Sequence, residues 1–122
     1  MRIYGEFFDE ITVDSFELIE EKLRQMNNTT PDDFIVCIRD NSEDYIQVAN
    51  DIQWDGQYID FLVEVRLYKS ETNFTHHRAT HSLQDSSQTL KLDNVIELFR
   101  SFYYGYPLNH IADWEDITDE MK

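Results

Sequence analysis

The sequence predicts an α+β fold: an antiparallel sheet of about five strands with two helices packed on it. Two segments, near each end of the chain, space their apolar residues three and four apart, as one face of a helix requires. Between them the pattern changes to short runs rich in Ile, Val, Phe and Tyr, with apolar residues alternating or contiguous. Clusters of Asp, Asn, Ser and Gly separate these runs at short intervals, so neighbouring strands should pair as hairpins. Three glycines and two prolines in 122 residues leave no linker, and no repeat is visible. One domain over residues 1–122 is expected.

Residues 2–8 form the first expected strand, with Ile3 and Phe7 on one face and Tyr4 and Phe8 on the other. Asp14 with Glu17 matches a capping box, and Phe16, Ile19, Leu23 and Met26 then recur at helical spacing. Asn27-Asn28 and Pro31 end that helix. Residues 34–38 and 45–49 read as strands joined by the turn residues 40–44. Asp55-Gly56 marks another turn, after which Ile59, Phe61, Val63, Val65 and Leu67 alternate with polar residues as a half-buried strand must. Residues 74–80 should return antiparallel to it, with a further weak strand near 89–92. Asn94 with Glu97 predicts the start of a second helix, Val95, Leu98, Phe99 and Phe102 its apolar stripe, and Gly105 with Pro107 its end.

Acidic residues number 25 against 10 Lys plus Arg, a formal charge of −15. That excess opposes binding to nucleic acid or to anionic membranes, both of which reward basic residues, and favours a basic protein partner. The single cysteine, Cys37, excludes an intramolecular disulfide and suits a reducing compartment. Acids at Glu6, Asp9 and Glu10 interrupt any signal-like apolar run, so a cytoplasmic protein is expected.

Catalytic patterns are scarce. No phosphate loop, CxxC, HExxH or GxSxG occurs. Cys37 lies in an apolar strand, where a thiolate nucleophile is disfavoured. His76, His77 and His81 fall within six residues, and on a strand His77 and His81 share a face. They support an alternative reading as a small metal-binding protein or enzyme, although no partner ligand follows at a fixed spacing. Adjacent carboxylates abound, but among 25 acids such pairs arise without selection for chemistry. The expectation is a protein that is not an enzyme and uses no cofactor or metal.

The acids instead crowd two regions. One is the first 21 residues, which include Glu17, Glu20 and Glu21; the other is the tail, with Asp113, Glu115, Asp116, Asp119 and Glu120. Tyr103, Tyr104, Tyr106, Trp54 and Trp114 stand near them in sequence or between them. Aromatic anchors among like charges suit recognition of a basic protein: the charge speeds encounter and the rings supply affinity. A protein that mimics DNA through its carboxylates is a further alternative.

The segments Phe34-Ile35-Val36, Tyr45-Ile46-Gln47-Val48-Ala49, Val63-Glu64-Val65-Arg66 and Phe74-Thr75-His76-His77-Arg78, with the closing Trp114-Glu115-Asp116-Ile117-Thr118, resemble bacterial immunity proteins. These belong to polymorphic toxin and contact-dependent growth inhibition systems. The resemblance implies a non-catalytic cytoplasmic domain that binds and neutralises a cognate toxin domain with a basic surface, a nuclease foremost. The partner-binding residues expected here are Asp113, Trp114, Glu115, Asp116 and Asp119, with Glu17, Glu20, Glu21 and Tyr104. A strand at 74–80, if it lay at an edge, would offer pairing across a homodimer.

Overall fold

A computed structural model describes residues 1–6, 8–26, 34–40, 44–52, 59–70, 73–82, 92–108 and 112–121. The strands are β1 (Arg2–Gly5), β2 (Phe8–Thr12), β3 (Phe34–Ile38), β4 (Tyr45–Ile52), β5 (Ile59–Ser70), β6 (Asn73–Ser82) and β7 (Ala112–Asp116). Helix α1 (Phe16–Gln25) follows β2, and α2 (Leu92–Tyr104) follows β6. A 3₁₀ turn, Thr118–Met121, closes the order. The seven strands form one sheet in the order β2-β1-β3-β4-β5-β6-β7, and every neighbouring pair is antiparallel. The fold is α+β as the sequence predicts, with seven strands in place of about five.

Alternation decides which face is covered. Ile3 stands opposite Cys37, Cys37 opposite Ile46, and Ile46 opposite Val65, giving an apolar row across four strands. Ile35, Val48 and Val63 form a second row beside it. Phe16, Ile19 and Leu23 of α1, and Val95, Leu98, Phe99 and Phe102 of α2, pack with these rows into one core, so both helices cover the same face. The other face carries Tyr4, Val36, Gln47, Glu64 and Arg78 in successive register. There Glu64 pairs with Arg78 at 3.3 Å and accepts from Gln47 at 3.4 Å.

Several local expectations change. The single strand expected over 2–8 is a hairpin, β1 and β2, bent at Gly5. A Cβ on Gly5 would lie 2.6 Å from the Phe34 carbonyl oxygen, so only glycine allows β1 to turn this close to β3. Ser15, not Asp14, is the N-cap of α1, and its side chain makes no capping bond. Helix α2 opens at Leu92, before Asn94, which is buried within it, while Glu97 pairs with Arg100. Of the weak strand expected at 89–92, Leu92 is helical and the rest lies outside the described residues, as do the expected helix stop Asn27-Asn28 and Pro31. Strand β7 arises from the acidic tail around Trp114, where no strand is expected from the sequence. Its presence makes β6 an interior strand, so residues 74–80 offer no edge for a homodimer. The edges are β2 and β7, and Asp9, Glu10 and Glu115 stand exposed on them, charges that discourage edge-to-edge pairing.

A candidate recognition cleft at the end of α2

The C-terminus of α2 is shaped by Gly105, whose φ of 77° suits a residue without a Cβ. The Tyr106 amide donates to the Ser101 carbonyl at 2.8 Å and the Gly105 amide to that of Phe102 at 3.3 Å, the pair of bonds of a Schellman ending. Arg39 reinforces it from the far end of β3. Its guanidinium donates to the Phe102 carbonyl at 2.7 Å and to Asp44 at 3.2 Å, and lies 4.1 Å from the centre of the Phe102 ring. A cation is well placed at a helix C-terminus, where free carbonyls carry partial negative charge.

The chain then passes through Pro107 to Leu108, whose carbonyl accepts from the Trp114 indole at 3.2 Å. Between this loop, the last turn of α2 and the sheet lies a cleft of about 730 Å³. Val65, Leu67, His77 and Trp114 line it from the sheet, and Phe102 and Tyr104 from the helix. The volume falls in the range of pockets that hold a small molecule or a few side chains. Tyr104 and Tyr106 stack with centroids 5.8 Å apart and are 52% and 61% exposed. Tyr104 also meets Phe16 at 6.3 Å, which ties the mouth of the cleft to the start of α1 beside Glu17.

The fold therefore joins Tyr104 and Trp114 in one site and divides the acids. Asp116 pairs in register with His77, and Trp114 with Ala79, so both project toward the helix-covered face. Glu115 pairs with Arg78 and projects to the opposite face. The expected patch Asp113-Trp114-Glu115-Asp116 is thus split by strand alternation, which the sequence analysis, assigning no strand to the tail, does not anticipate. Asp113 lies in β7, and its side chain is outside the described residues. Asp119 is exposed on the 3₁₀ turn, and Asp116 accepts from the Thr118 amide at 2.9 Å. On α1, Glu17 and Glu21 are exposed, whereas Glu20 bridges Arg24 at 3.2 Å and Arg100 at 3.0 Å and so braces the two helices. Arg39 and Leu67 escape sequence reasoning as parts of a site, and the sequence singles out His77 only as a metal ligand; Trp114 and the ring-crowded helix end Tyr103-Tyr104-Gly105-Tyr106-Pro107 are the signals that point to it.

The histidines do not converge. His77 projects toward the cleft, with Nε2 3.0 Å from the Thr75 hydroxyl, while His76 faces the opposite side. His76 is 4% exposed, 5.1 Å from Phe74 and 6.1 Å from Tyr45 between ring centroids, and its Nδ1 has no partner among the described residues. Burial holds its imidazole below the ordinary value, and the Arg66 cation acts in the same direction. The side chain of His81 is outside the described residues, as is His110. Among the described residues no group of three or more His, Cys, Asp or Glu is arranged to hold a metal. Burial pushes the Cys37 thiol up to about 12, which leaves almost no thiolate at neutral pH. Among those residues, too, no helix is long and apolar enough to cross a membrane.

No family model, curated protein or solved structure matches this chain.

Proposed function

We propose that this protein is an immunity protein that captures a cognate toxin domain of basic surface, a nuclease foremost, in the cytoplasm of the cell it protects. The observation that carries the reading is the union of Tyr104, Tyr106 and Trp114 around one cleft in a chain of net charge −15. Nuclease sites are basic because they hold a polyanion, so an acidic surface is attracted to them at long range. Exposed rings at a rigid helix end then supply contact area at small entropic cost. Binding, rather than catalysis, is the role these features serve.

Affinity capture from the source organism, followed by co-expression with the captured protein, tests this. The expected result is a one-to-one complex with a basic toxin domain, protection of the expressing cell, and association that slows as salt rises. Reversing the exposed acids together (Glu17→Lys, Glu21→Lys and Glu115→Lys) should lower the association rate by about tenfold or more while the melting temperature changes little. Capture of no basic protein, or of one whose toxicity is unaffected, would overturn the proposal.

A further inference from the structure

We infer that the cleft at the end of α2 is a socket for one large apolar side chain carried on a basic segment of a protein partner. This rests on the proposed function and specifies what the partner must present. The walls are apolar where they matter: Val65, Leu67 and Trp114 on the sheet, Phe102 on the helix. Arg39 is the one permanently charged residue lining the cleft among the described residues, and it is already bonded to Asp44 and the Phe102 carbonyl. The floor therefore asks for no ion. A bare hydrocarbon or ring gains most there, since each buried apolar side chain brings the full transfer free energy.

The rim differs. Tyr104 and Tyr106 supply two of the three exposed large hydrophobic residues among the described ones, and both stand at the mouth. No carboxylate lines the cleft among the described residues, and Arg100 lies 5.0 Å from the centre of the Phe16 ring. Exposed acids nevertheless stand beside the cleft in a chain of net charge −15. Asp116 lies opposite His77 at the sheet side, and Glu17 follows Phe16, whose ring touches Tyr104. An apolar hole in a protein of net charge −15, with Asp116 and Glu17 exposed beside it, is complementary to an apolar anchor flanked by Lys or Arg. The flanking cations can also stack on the tyrosine faces. The volume exceeds one ring, leaving room for the backbone that carries it.

The test uses the intact protein and three capped five-residue peptides: Lys-Arg-Phe-Arg-Lys, the same with Ala at the centre, and Glu-Glu-Phe-Glu-Glu. The reporter is the Trp114 indole N–H in a ¹⁵N spectrum, assigned by its loss in Trp114→Phe. Lys-Arg-Phe-Arg-Lys should shift it and bind about tenfold or more tighter than the Ala peptide. The acidic peptide should not compete. Tyr106→Ala, outside the helix and largely exposed, should weaken binding several-fold, and Leu67→Arg, which fills the floor, should abolish it. Equal binding of the Phe and Ala peptides, equal binding of the acidic peptide, or a Trp114 signal unmoved at millimolar peptide would each overturn the inference. So would binding by the Phe amino-acid amide alone as tight as by the basic peptide, which would mark a small-molecule pocket. A toxin that binds Tyr106→Ala and Leu67→Arg as well as the parent protein refutes the socket and leaves the immunity reading standing. Peptide binding as expected with no toxin captured does the reverse.

Discussion

Arg39→Met should be among the most damaging single changes outside the apolar core, and its cost can be worked from its contacts. The substitution keeps much of the stem and removes three interactions. The first is a charged hydrogen bond to the Phe102 carbonyl at 2.7 Å. The second is an ion pair at 3.2 Å with Asp44, whose side chain is 11% exposed against 31% for Arg39. The third is the guanidinium's stacking on Phe102. A charged hydrogen bond contributes about 1.5–3 kcal/mol, and stranding a fully buried ion costs about 3–5 kcal/mol. Because Arg39 is nearly one-third exposed, water screens the pair and the lower ends apply, so a total near 2–3 kcal/mol is expected. With unfolding entropy near 2.1 cal/mol/K per residue over 122 residues, the melting temperature should fall by roughly 10 °C. The assay is thermal and urea unfolding of Arg39→Met, Asp44→Asn and the double variant. Asp44→Asn in the Arg39→Met background should cost less than it does alone, because the charge it removes no longer has this partner. A loss under about 0.5 kcal/mol for Arg39→Met would refute the view that it holds the helix end, and with it the cleft's near wall.

Gly5→Ala should destabilise more than Gly105→Ala. At Gly5 the new methyl meets a backbone oxygen at 2.6 Å, whereas at Gly105 it meets open space and bears only the positive-φ penalty of about 1 kcal/mol; urea midpoints in the opposite order would contradict this. His76→Phe should flatten the fall in stability on acidification. A histidine whose folded pKa is depressed costs nothing above its unfolded value near 6.5, and destabilises as pH drops below it, because the unfolded chain takes the proton first. The check is the parent's unfolding free energy minus the variant's, measured from pH 7 down to pH 5, which should fall steadily as pH falls; a constant or rising value would contradict this.

What was legible in the sequence is what depends on neighbours in the chain. The stripe Phe16, Ile19, Leu23 and Met26 is buried as its spacing predicts, and the alternation from Ile59 to Leu67 runs through β5. Gly105 ends α2 where its chemistry requires. What was not legible depends on partners far away. Ala112–Asp116 has poor strand chemistry, yet it pairs because β6 would otherwise present a long unpaired edge and because Ala112 and Trp114 fall on the core side. Arg39 serves a carbonyl 63 residues ahead, and Glu20 an arginine 80 residues ahead. No local pattern announces either.

The division of the tail by β7 also limits how a partner can approach. Consecutive residues of a strand face opposite ways, so Trp114 and Asp116 cannot act from the same face as Glu115. A partner reaching Trp114 enters from the helix side, where the nearest exposed rings are Tyr104 and Tyr106 and an exposed acid of α1 is Glu17. On the proposed reading, Glu115 would then act only at a distance, through a field that salt screens within about 8 Å at physiological strength. Contact and attraction thus fall to different residues. The rings and Asp116 should govern how long a complex lasts, and the remaining exposed acids how often it forms.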